Sequence, residues 1–467
     1  METVHYTAIV LGAGPGGYPC GIRLGQLGVK TLVIEREYWG GVCLNVGCIP
    51  SKALITAGKR VEEIVHADAM GIEVPGKPIV HMDRLQAWKT SVVNKLTGGV
   101  RTLLKANKVD MMLGDARFVE PRVLEVTTAD GVKRVSADHV VVAVGSRPIE
   151  IPGFSFADAR ILDSTKALAL PEIPKRLAVI GGGYIGLEMG SMYRKLGSEV
   201  TVIEAADQVL PGFDVEVVKL IDRKLKKSGV TVLTKSQALG WEEGDNGAHL
   251  RFKTPEGEKA IDVDYILVTV GRRPNTDRCN LEATGVVMEG RFIKTDLQLK
   301  TSVPGVYAIG DCTTGLMLAH KATHEGEICA EVIAGHNAYN DVKTVPAVVF
   351  TDPEIATAGL MEHEAKAKGL EVRVGKVPFA AIGRALTTND TDGFIKVIVD
   401  KTTHRVLGVT IVGPHASDLI SECVLAVEMD CEALDIGLSI HPHPTLSEGV
   451  MEAAKAAIGE AIHIVNT

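Results

Sequence analysis

The 467-residue chain lacks a long basic run, a long apolar stretch and a dense set of cysteines. Its net charge of −8 argues against a nucleic-acid partner, because phosphate binding relies on clustered Lys and Arg. The densest basic stretch, Arg223-Lys224-Leu225-Lys226-Lys227, reads as a solvated helix face. No uninterrupted apolar run approaches the ~18 residues of a membrane span, so no membrane association is expected. The N-terminus enters a strand pattern at once (Tyr6 to Leu11), with neither a charged leader nor an apolar signal core. A cytoplasmic location is the expectation. Eight cysteines are too few and too dispersed for a secreted disulfide framework, and only Cys43 and Cys48 are close together. No linker is rich enough in Pro or Gly to tether domains loosely. What is present is ordinary for a soluble globular protein, 46% hydrophobic and 23% charged, at a length that predicts roughly three domains.

The chain repeats itself. Gly12-Ala13-Gly14-Pro15-Gly16-Gly17 and Gly181-Gly182-Gly183-Tyr184-Ile185-Gly186 both fit G-x-G-x-x-G, and each follows a short apolar strand. Each leads into a helix that ends at Leu-Gly (Leu27, Leu196), then into a strand closing on Val-Ile-Glu (Glu35, Glu204). A lone glycine pattern is weak evidence. Two copies with matching strand, helix and acid predict two dinucleotide-binding βαβ units. Gly12 permits the tight turn, Gly14 lets backbone approach a pyrophosphate, and Gly17 lets helix and strand pack closely. Gly181, Gly183 and Gly186 repeat those parts, and the helix N-termini supply N–H groups for phosphates. Glu35 and Glu204 can accept hydrogen bonds from ribose hydroxyls. A carboxylate at that position repels a 2′-phosphate, and no Arg lies between Ala205 and Asp222, so the second unit should prefer NAD over NADP.

The expected class is α/β, with two Rossmann-like dinucleotide-binding domains and a C-terminal α+β domain. Gly145-Ser146-Arg147-Pro148 and Gly271-Arg272-Arg273-Pro274 each follow an apolar strand and mark exits from the two units. The expected boundaries are 1–147 for the first domain, 148–275 for the second, 276–345 for a central segment completing the first site, and 346–467 for the last. The central segment contains a strand ending at Gly310-Asp311. The last carries alternating apolar patterns such as Phe394 to Val399, expected to form an antiparallel sheet flanked by helices.

Between Gly40 and Lys52 lies Gly-Gly-Val-Cys-Leu-Asn-Val-Gly-Cys-Ile-Pro-Ser-Lys. The Cys43/Cys48 pair could be coincidence, half a metal site or a redox pair. Zinc would need two more ligands, and no second Cys pair or nearby His pair exists, so no metal is expected. A close pair beside a nucleotide site offers a path for two electrons, and Lys52 would favour a thiolate. His441-Pro442-His443-Pro444-Thr445-Leu446-Ser447-Glu448 places imidazoles and a carboxylate together, able to hold and move a proton at neutral pH. In isolation this stretch reads rather as a pair of surface histidines in a Pro-rich turn.

Taken together, the stretches 41–52, 271–276, 317–320, 411–416 and 443–448 resemble the flavin-dependent pyridine nucleotide-disulfide oxidoreductases, over essentially the whole chain. The resemblance is strongest to members that oxidise protein-bound dihydrolipoyl groups. It implies FAD on the first unit, with Gly41, Lys52, Ala116, Gly145, Asp311 and Ala319 around it. It implies NAD on the second, held by Gly181, Gly183, Gly186, Glu204 and Gly271. Cys43 would be the interchange thiol that meets substrate, Cys48 the thiol beside the flavin, and Glu188 the partner of Lys52. His443, oriented by Glu448, would be the base, reaching the disulfide of the other subunit of a homodimer. Lipoyl domains and the acyltransferase core of 2-oxoacid dehydrogenase or glycine-cleavage complexes would be the partners.

Two departures temper the match. Ala143-Val144-Gly145 stands where the family often has Ala-Thr-Gly. Tyr184 would either cover the nicotinamide pocket or simply pack. A glutathione reductase-like activity is the nearest alternative, but it would favour NADPH and basic residues after the second glycine pattern. A mainly non-catalytic docking subunit is the other, and Cys43, Cys48, His443 and Glu448 argue against it. For Cys20, Cys279, Cys312, Cys329, Cys423 and Cys431 the expectation is small core residues.

Overall fold

In the computed structural model, which describes residues 3–245 and 247–466, the N-terminal pattern becomes β1 (Thr3–Leu11), α1 (Gly17–Gln26) and β2 (Thr31–Glu35). β1 and β2 run parallel, with Ala8 opposite Thr31 and Leu11 opposite Ile34. All of β2 is buried, as a parallel strand covered on both faces requires. The chain then leaves the sheet for α2 (Gly41–Val46), α3 (Cys48–Val65) and α4 (Met82–Ala106). It returns as β3 (Asp110–Leu113), β4 (Asp115–Glu120), β5 (Val123–Thr128) and β6 (Gly131–Val142), giving the order β3-β2-β1-β6-β5-β4. The segment Gly41–Val65 is long and apolar enough by composition to cross a membrane. In the fold it is two helices broken at Gly47, and α3 turns Pro50, Ala53 and Leu54 into the protein core.

After β7 (Ser146–Pro148) the second unit comprises β8 (Ile161–Leu162), α5 (Ser164–Leu168), β9 (Arg176–Ile180), α6 (Tyr184–Leu196), β10 (Glu199–Ile203), α7 (Val215–Lys227) and β11 (Thr231–Leu233). A three-stranded antiparallel sheet follows, β12 (Gln237–Gly244), β13 (Gly247–Thr254) and β14 (Gly257–Val263), before β15 (Tyr265–Val268). The main sheet is parallel in the order β11-β10-β9-β15-β8. The basic run lies on α7, where Leu225 is buried and Lys226 pairs with Asp222 at 2.7 Å.

β16 (Arg272–Pro274) pairs antiparallel with β7, Arg272 opposite Pro148 and Pro274 opposite Ser146. The two Gly-x-Arg-Pro exits are therefore hydrogen-bonded to each other and stitch the units together. Beyond a small hairpin, β17 (Met288–Glu289) with β18 (Phe292–Ile293), comes β19 (Val306–Ala308). It pairs parallel with β6 and returns the chain to the first sheet as its seventh strand. The Gly310-Asp311 that follows sits in a 3-10 turn, and α8 (Ala319–Ile333) then lies against α1. That contact is close enough that a Cβ on Gly326 would come 2.4 Å from the Gly16 carbonyl oxygen.

The last region is a five-stranded antiparallel sheet with helices. Its elements are β20 (Ala347–Val349), β21 (Glu354–Gly359), α9 (Glu362–Ala367), β22 (Val372–Pro378), α10 (Gly383–Thr387), β23 (Phe394–Asp400), β24 (Val406–Gly413), α11 (Ala416–Glu428), α12 (Ala433–Leu438) and α13 (Glu448–Ala457). The strand order is β20-β21-β24-β23-β22. Both faces are covered. Ile395, Val397 and Val399 face the helices, while Phe394, with Val349, Ile355 and Val412, joins the core of the second unit. Lys396 is 1% exposed on that second side because Asp214, Glu216 and Glu362 surround its ammonium at 2.6, 2.6 and 3.2 Å.

Candidate active site

The two glycine turns share atomic detail as well as pattern. Gly12 has φ +107°, and a Cβ there would lie 2.3 Å from the Ala143 carbonyl oxygen; Gly181 has φ +105°, with the Thr269 oxygen at 2.7 Å. Side chains at Gly17 or Gly186 would strike the carbonyl of Gly12 or Gly181, at 1.8 and 2.1 Å. Glu35 accepts from the Ala13 amide at 2.7 Å and from the Glu37 and Tyr38 amides at 2.8 and 3.1 Å. Glu204 accepts from Gly182 at 2.6 Å and Ala206 at 2.7 Å. Each acid therefore braces its own turn, a role in addition to the ribose contact that the sequence motif implies.

A cleft of about 1670 Å³, counting its open mouth, runs from the first turn past α2 and α3 to α6 and α8. Gly12, Gly14, Glu35, Gly41, Cys43, Cys48, Lys52, Ala116, Gly145, Tyr184, Glu188, Asp311 and Ala319 all line it. Gly17 lies beneath it, buried in the first turn of α1. These residues fit a flavin dinucleotide. The N-terminus of α1 and its glycine turn form one end, where Gly41 closes on Gly14 so tightly that a Cβ would sit 2.5 Å from the Gly14 Cα. The thiols open into the middle of the same cleft.

Cys43 lies on α2 and Cys48 begins α3, across the break at Gly47. Both are free thiols, and Cys43 donates to the Cys48 sulfur. That bond, helped by the Lys52 charge and opposed by burial and by Glu188, lowers the Cys48 thiol to about 7. The same bond, with burial, pushes Cys43 far above the ordinary thiol range. Within the pair, negative charge is favoured on Cys48 over Cys43. Lys52, one helical turn further along α3, pairs with Glu188 of α6 at 2.8 Å.

Asp311 accepts from Ser146 Oγ at 2.5 Å, and Arg272 donates to Ser146 Oγ and to its carbonyl oxygen, both at 2.8 Å. Ser146 and Arg272 were not singled out in the sequence, yet their signal was the repeated Gly-x-Arg-Pro exit. Phe350 was also missed: its amide donates to Glu188 at 2.9 Å, and no local motif marks it. Tyr184, at the first position of α6, is 41% exposed at the cleft, so it is not a packed core aromatic.

The remaining named residues lie outside this cleft. Gly181, Gly183, Gly186 and Glu204 form the second turn, where a Cβ on Gly183 would meet nothing within 4 Å; Gly271 follows β15 with φ +133°. His443 Nδ1 bonds Glu448 at 2.8 Å, and the other Glu448 oxygen accepts from the Thr445 amide at 2.9 Å. Burial alone would raise Glu448, but the His443 ring and that amide hold it below the usual carboxylate range. The His443 side chain is 78% exposed. Of the other cysteines, Cys20, Cys279, Cys312, Cys329 and Cys423 are buried and Cys431 is half-buried. The carboxylates of Asp214, Glu216 and Glu362 converge as metal ligands would, but the Lys396 ammonium stands among them.

Comparison with known proteins is concordant. Residues 6–326 match the pyridine nucleotide-disulphide oxidoreductase family, and residues 345–454 match that family's dimerisation domain. The dihydrolipoyl dehydrogenase of Bacillus subtilis (strain 168) is 51% identical over 464 residues, covering 99% of this chain and 98% of the relative. That of Geobacillus stearothermophilus is 50% identical over 463 residues, with the same coverage. Among solved structures, LpdA from Mycobacterium tuberculosis superposes with a TM-score of 0.89 at 27% identity, over 96% of this chain and 99% of that one. The flavoprotein disulfide reductase RclA from Escherichia coli, induced by HOCl, gives 0.86 at 27% identity, over 96% and 99%.

Proposed function

Because the chain belongs to the pyridine nucleotide-disulphide oxidoreductase family, we propose that it works as a dihydrolipoyl dehydrogenase through Cys43 and Cys48, with His443 as its base. The activity and its cofactors, FAD and NAD, follow from relatives at about half identity over nearly the full length. The assignment of residues rests chiefly on one observation, the polarised thiol pair one turn from Lys52. The dimerisation domain makes the protein a homodimer.

In this reading His443 takes the proton of one substrate thiol, its tautomer fixed by Glu448. The substrate thiolate attacks Cys43 Sγ of the oxidised pair, forming a mixed disulfide as the Cys43–Cys48 bond breaks and Cys48 leaves as thiolate. The second substrate thiol then attacks the mixed disulfide, releasing the cyclic lipoyl disulfide and leaving Cys43 as a thiol. Cys48 is suited to leave because the Lys52 charge favours its thiolate. Held along the cleft by Gly12, Gly14, Glu35, Gly41, Lys52 and Asp311, FAD would supply two-electron transfer between the dithiol and NAD⁺, by which the disulfide would be restored. Lys52 balances the negative charge that this flow places on Cys48, and Glu188 fixes Lys52. Ser146, Arg272 and Asp311 hold the far wall of the cleft. Glu204 excludes a 2′-phosphate from the second turn.

His443 is exposed and lies outside its own chain's cleft, which supports a site completed by the partner subunit. Lipoyl domains and an acyltransferase core of a 2-oxoacid dehydrogenase or glycine-cleavage complex are the proposed partners. A cytoplasmic location is proposed as well, since a cycling cysteine pair suits a reducing compartment. The test is NAD⁺-dependent oxidation of dihydrolipoamide by the purified holoprotein, with Cys43→Ser and His443→Gln variants. Turnover in the parent and its loss in both variants are expected; turnover retained in either variant contradicts that residue's assignment. Capture of an acyltransferase core by the same protein separates docking from catalysis.

A further inference from the structure

The Lys52–Glu188 pair is held from the C-terminal sheet as well as from its own helices. Glu188 Oε2 accepts from Lys52 at 2.8 Å, while its Oε1 accepts from the backbone amide of Phe350 at 2.9 Å. The Lys52 ammonium lies over the Phe350 ring, 4.4 Å from its centroid. A single residue therefore touches both members of the pair, fixing the carboxylate through its amide and the ammonium through its ring.

Phe350 is the first residue after β20, in a turn that is itself fastened. Asp352 pairs with Lys195 of α6, which also pairs with Glu62 of α3 at 2.6 Å. Thr351 Oγ1 donates to the Pro353 carbonyl at 2.8 Å, and Glu354 accepts from the Ser417 amide of α11 at 3.0 Å. A small cavity behind Glu188 is bordered by Lys59, Lys195, Asp352 and Asp390, with the Ser191 hydroxyl buried and unbonded beside it. The turn thus joins α3, α6 and α11, and its rigidity passes to Phe350.

The charge reaching Cys48 depends on this arrangement. Cys43 and Lys52 favour the Cys48 thiolate and Glu188 opposes it; Tyr184 and Arg272 stand in the same cleft. An ammonium free to swing toward solvent would stabilise the thiolate less.

We propose that Phe350 is a positioning residue for the redox centre, its ring and amide holding Lys52 against Glu188 one helical turn from Cys48. This rests on Cys48 being the redox thiolate. Through it the dimerisation domain, which contains Phe350, sets the charge environment of a thiol on the first unit.

The test is the pH profile of Cys48 alkylation by iodoacetamide in the dithiol-reduced holoprotein, located by peptide mass, with flavin content read from visible absorbance. Phe350→Leu should slow alkylation at pH 7 by about 3- to 10-fold and move the inflection upward, with flavin retained. Phe350→Tyr, which keeps a ring face, should restore the parent profile. Lys195→Met touches neither Lys52 nor Glu188 and should shift the profile the same way, but less. A Phe350→Leu profile equal to the parent's, or a Phe350→Tyr profile shifted as far as Leu's, overturns the proposal. Should Phe350→Leu fail to fold, Lys195→Met carries the test, and its unshifted profile is the contrary result. A parent protein whose Cys48 titrates in the ordinary thiol range refutes the redox assignment itself.

Discussion

The two glycine turns are near copies in backbone, yet their surroundings differ. Both glycines at the first position sit at φ just above +100°, both third glycines pack on a carbonyl oxygen, and both acids brace the turn. At the first turn, Gly41 of the redox helix closes on Gly14 and the space opens into a long internal cleft. At the second, Gly183 faces open space. The same motif is built into the protein in one case and presented at its surface in the other. That contrast matches a flavin that stays and a nicotinamide that enters and leaves with each turnover. The motif supplies recognition of a dinucleotide; the chain that roofs it decides residence.

The contrast can be broken in several places. The largest effect belongs to the chemistry that only the first region carries: Cys48→Ser should lower dihydrolipoamide oxidation by about 10³-fold or more while FAD stays bound, read from turnover and visible absorbance together. Wild-type turnover in that variant would remove Cys48 from the mechanism. Next, Gly41→Ala should strip most of the flavin, since its Cβ would lie 2.5 Å from the Gly14 Cα at a φ of +64°. Gly183→Ala, with nothing within 4 Å, should leave flavin content at the parent level. Equal flavin loss in both would erase the distinction between the turns.

A smaller effect is expected from Glu204→Ala, which unbraces the Gly182 and Ala206 amides. Its NAD⁺ KM should rise about tenfold, the scale of one or two lost hydrogen bonds to a charged group. Its flavin content should not change. The smallest effect is a pH dependence. The Cys48 thiol is lowered to about 7, so its thiolate fraction rises as pH climbs through 7 and falls below it. Alkylation should follow that curve in the reduced protein. For stability the depressed Cys48 thiol favours the reduced fold as pH climbs from about 7 toward the ordinary thiol range, and above that range the raised Cys43 thiol opposes it.

The glycine turns, the paired acids and the cysteine stretch were legible in the sequence because their chemistry is local. A few consecutive residues set φ, spacing and charge together. His443 and Glu448 were legible for the same reason, five residues apart and bonded at 2.8 Å. What escaped depends on contacts between distant segments. Ser146 and Arg272 meet only because β7 pairs with β16. Phe350 reaches Glu188 because the C-terminal sheet shares a core with the second unit. Alternation in Phe394 to Val399 marked a sheet flanked by helices, but not that the second unit covers its other face, with Lys396 neutralised there by three carboxylates. Glu35 and Glu204 were read as ribose acceptors, and their bracing of the turns appears only when the strand end is placed beside the turn.

The most direct measurement of the central claim is an anaerobic titration of the yellow holoprotein with dihydrolipoamide, followed in visible absorbance, then with NAD⁺ or NADP⁺. Through Cys43, Cys48 and Glu204 acting as assigned, a long-wavelength band should grow on dithiol addition and be cleared by NAD⁺ but not by NADP⁺. A flavin untouched by dihydrolipoamide yet reduced by NADH would contradict the substrate and the thiol assignments, leaving only the nucleotide half of the account.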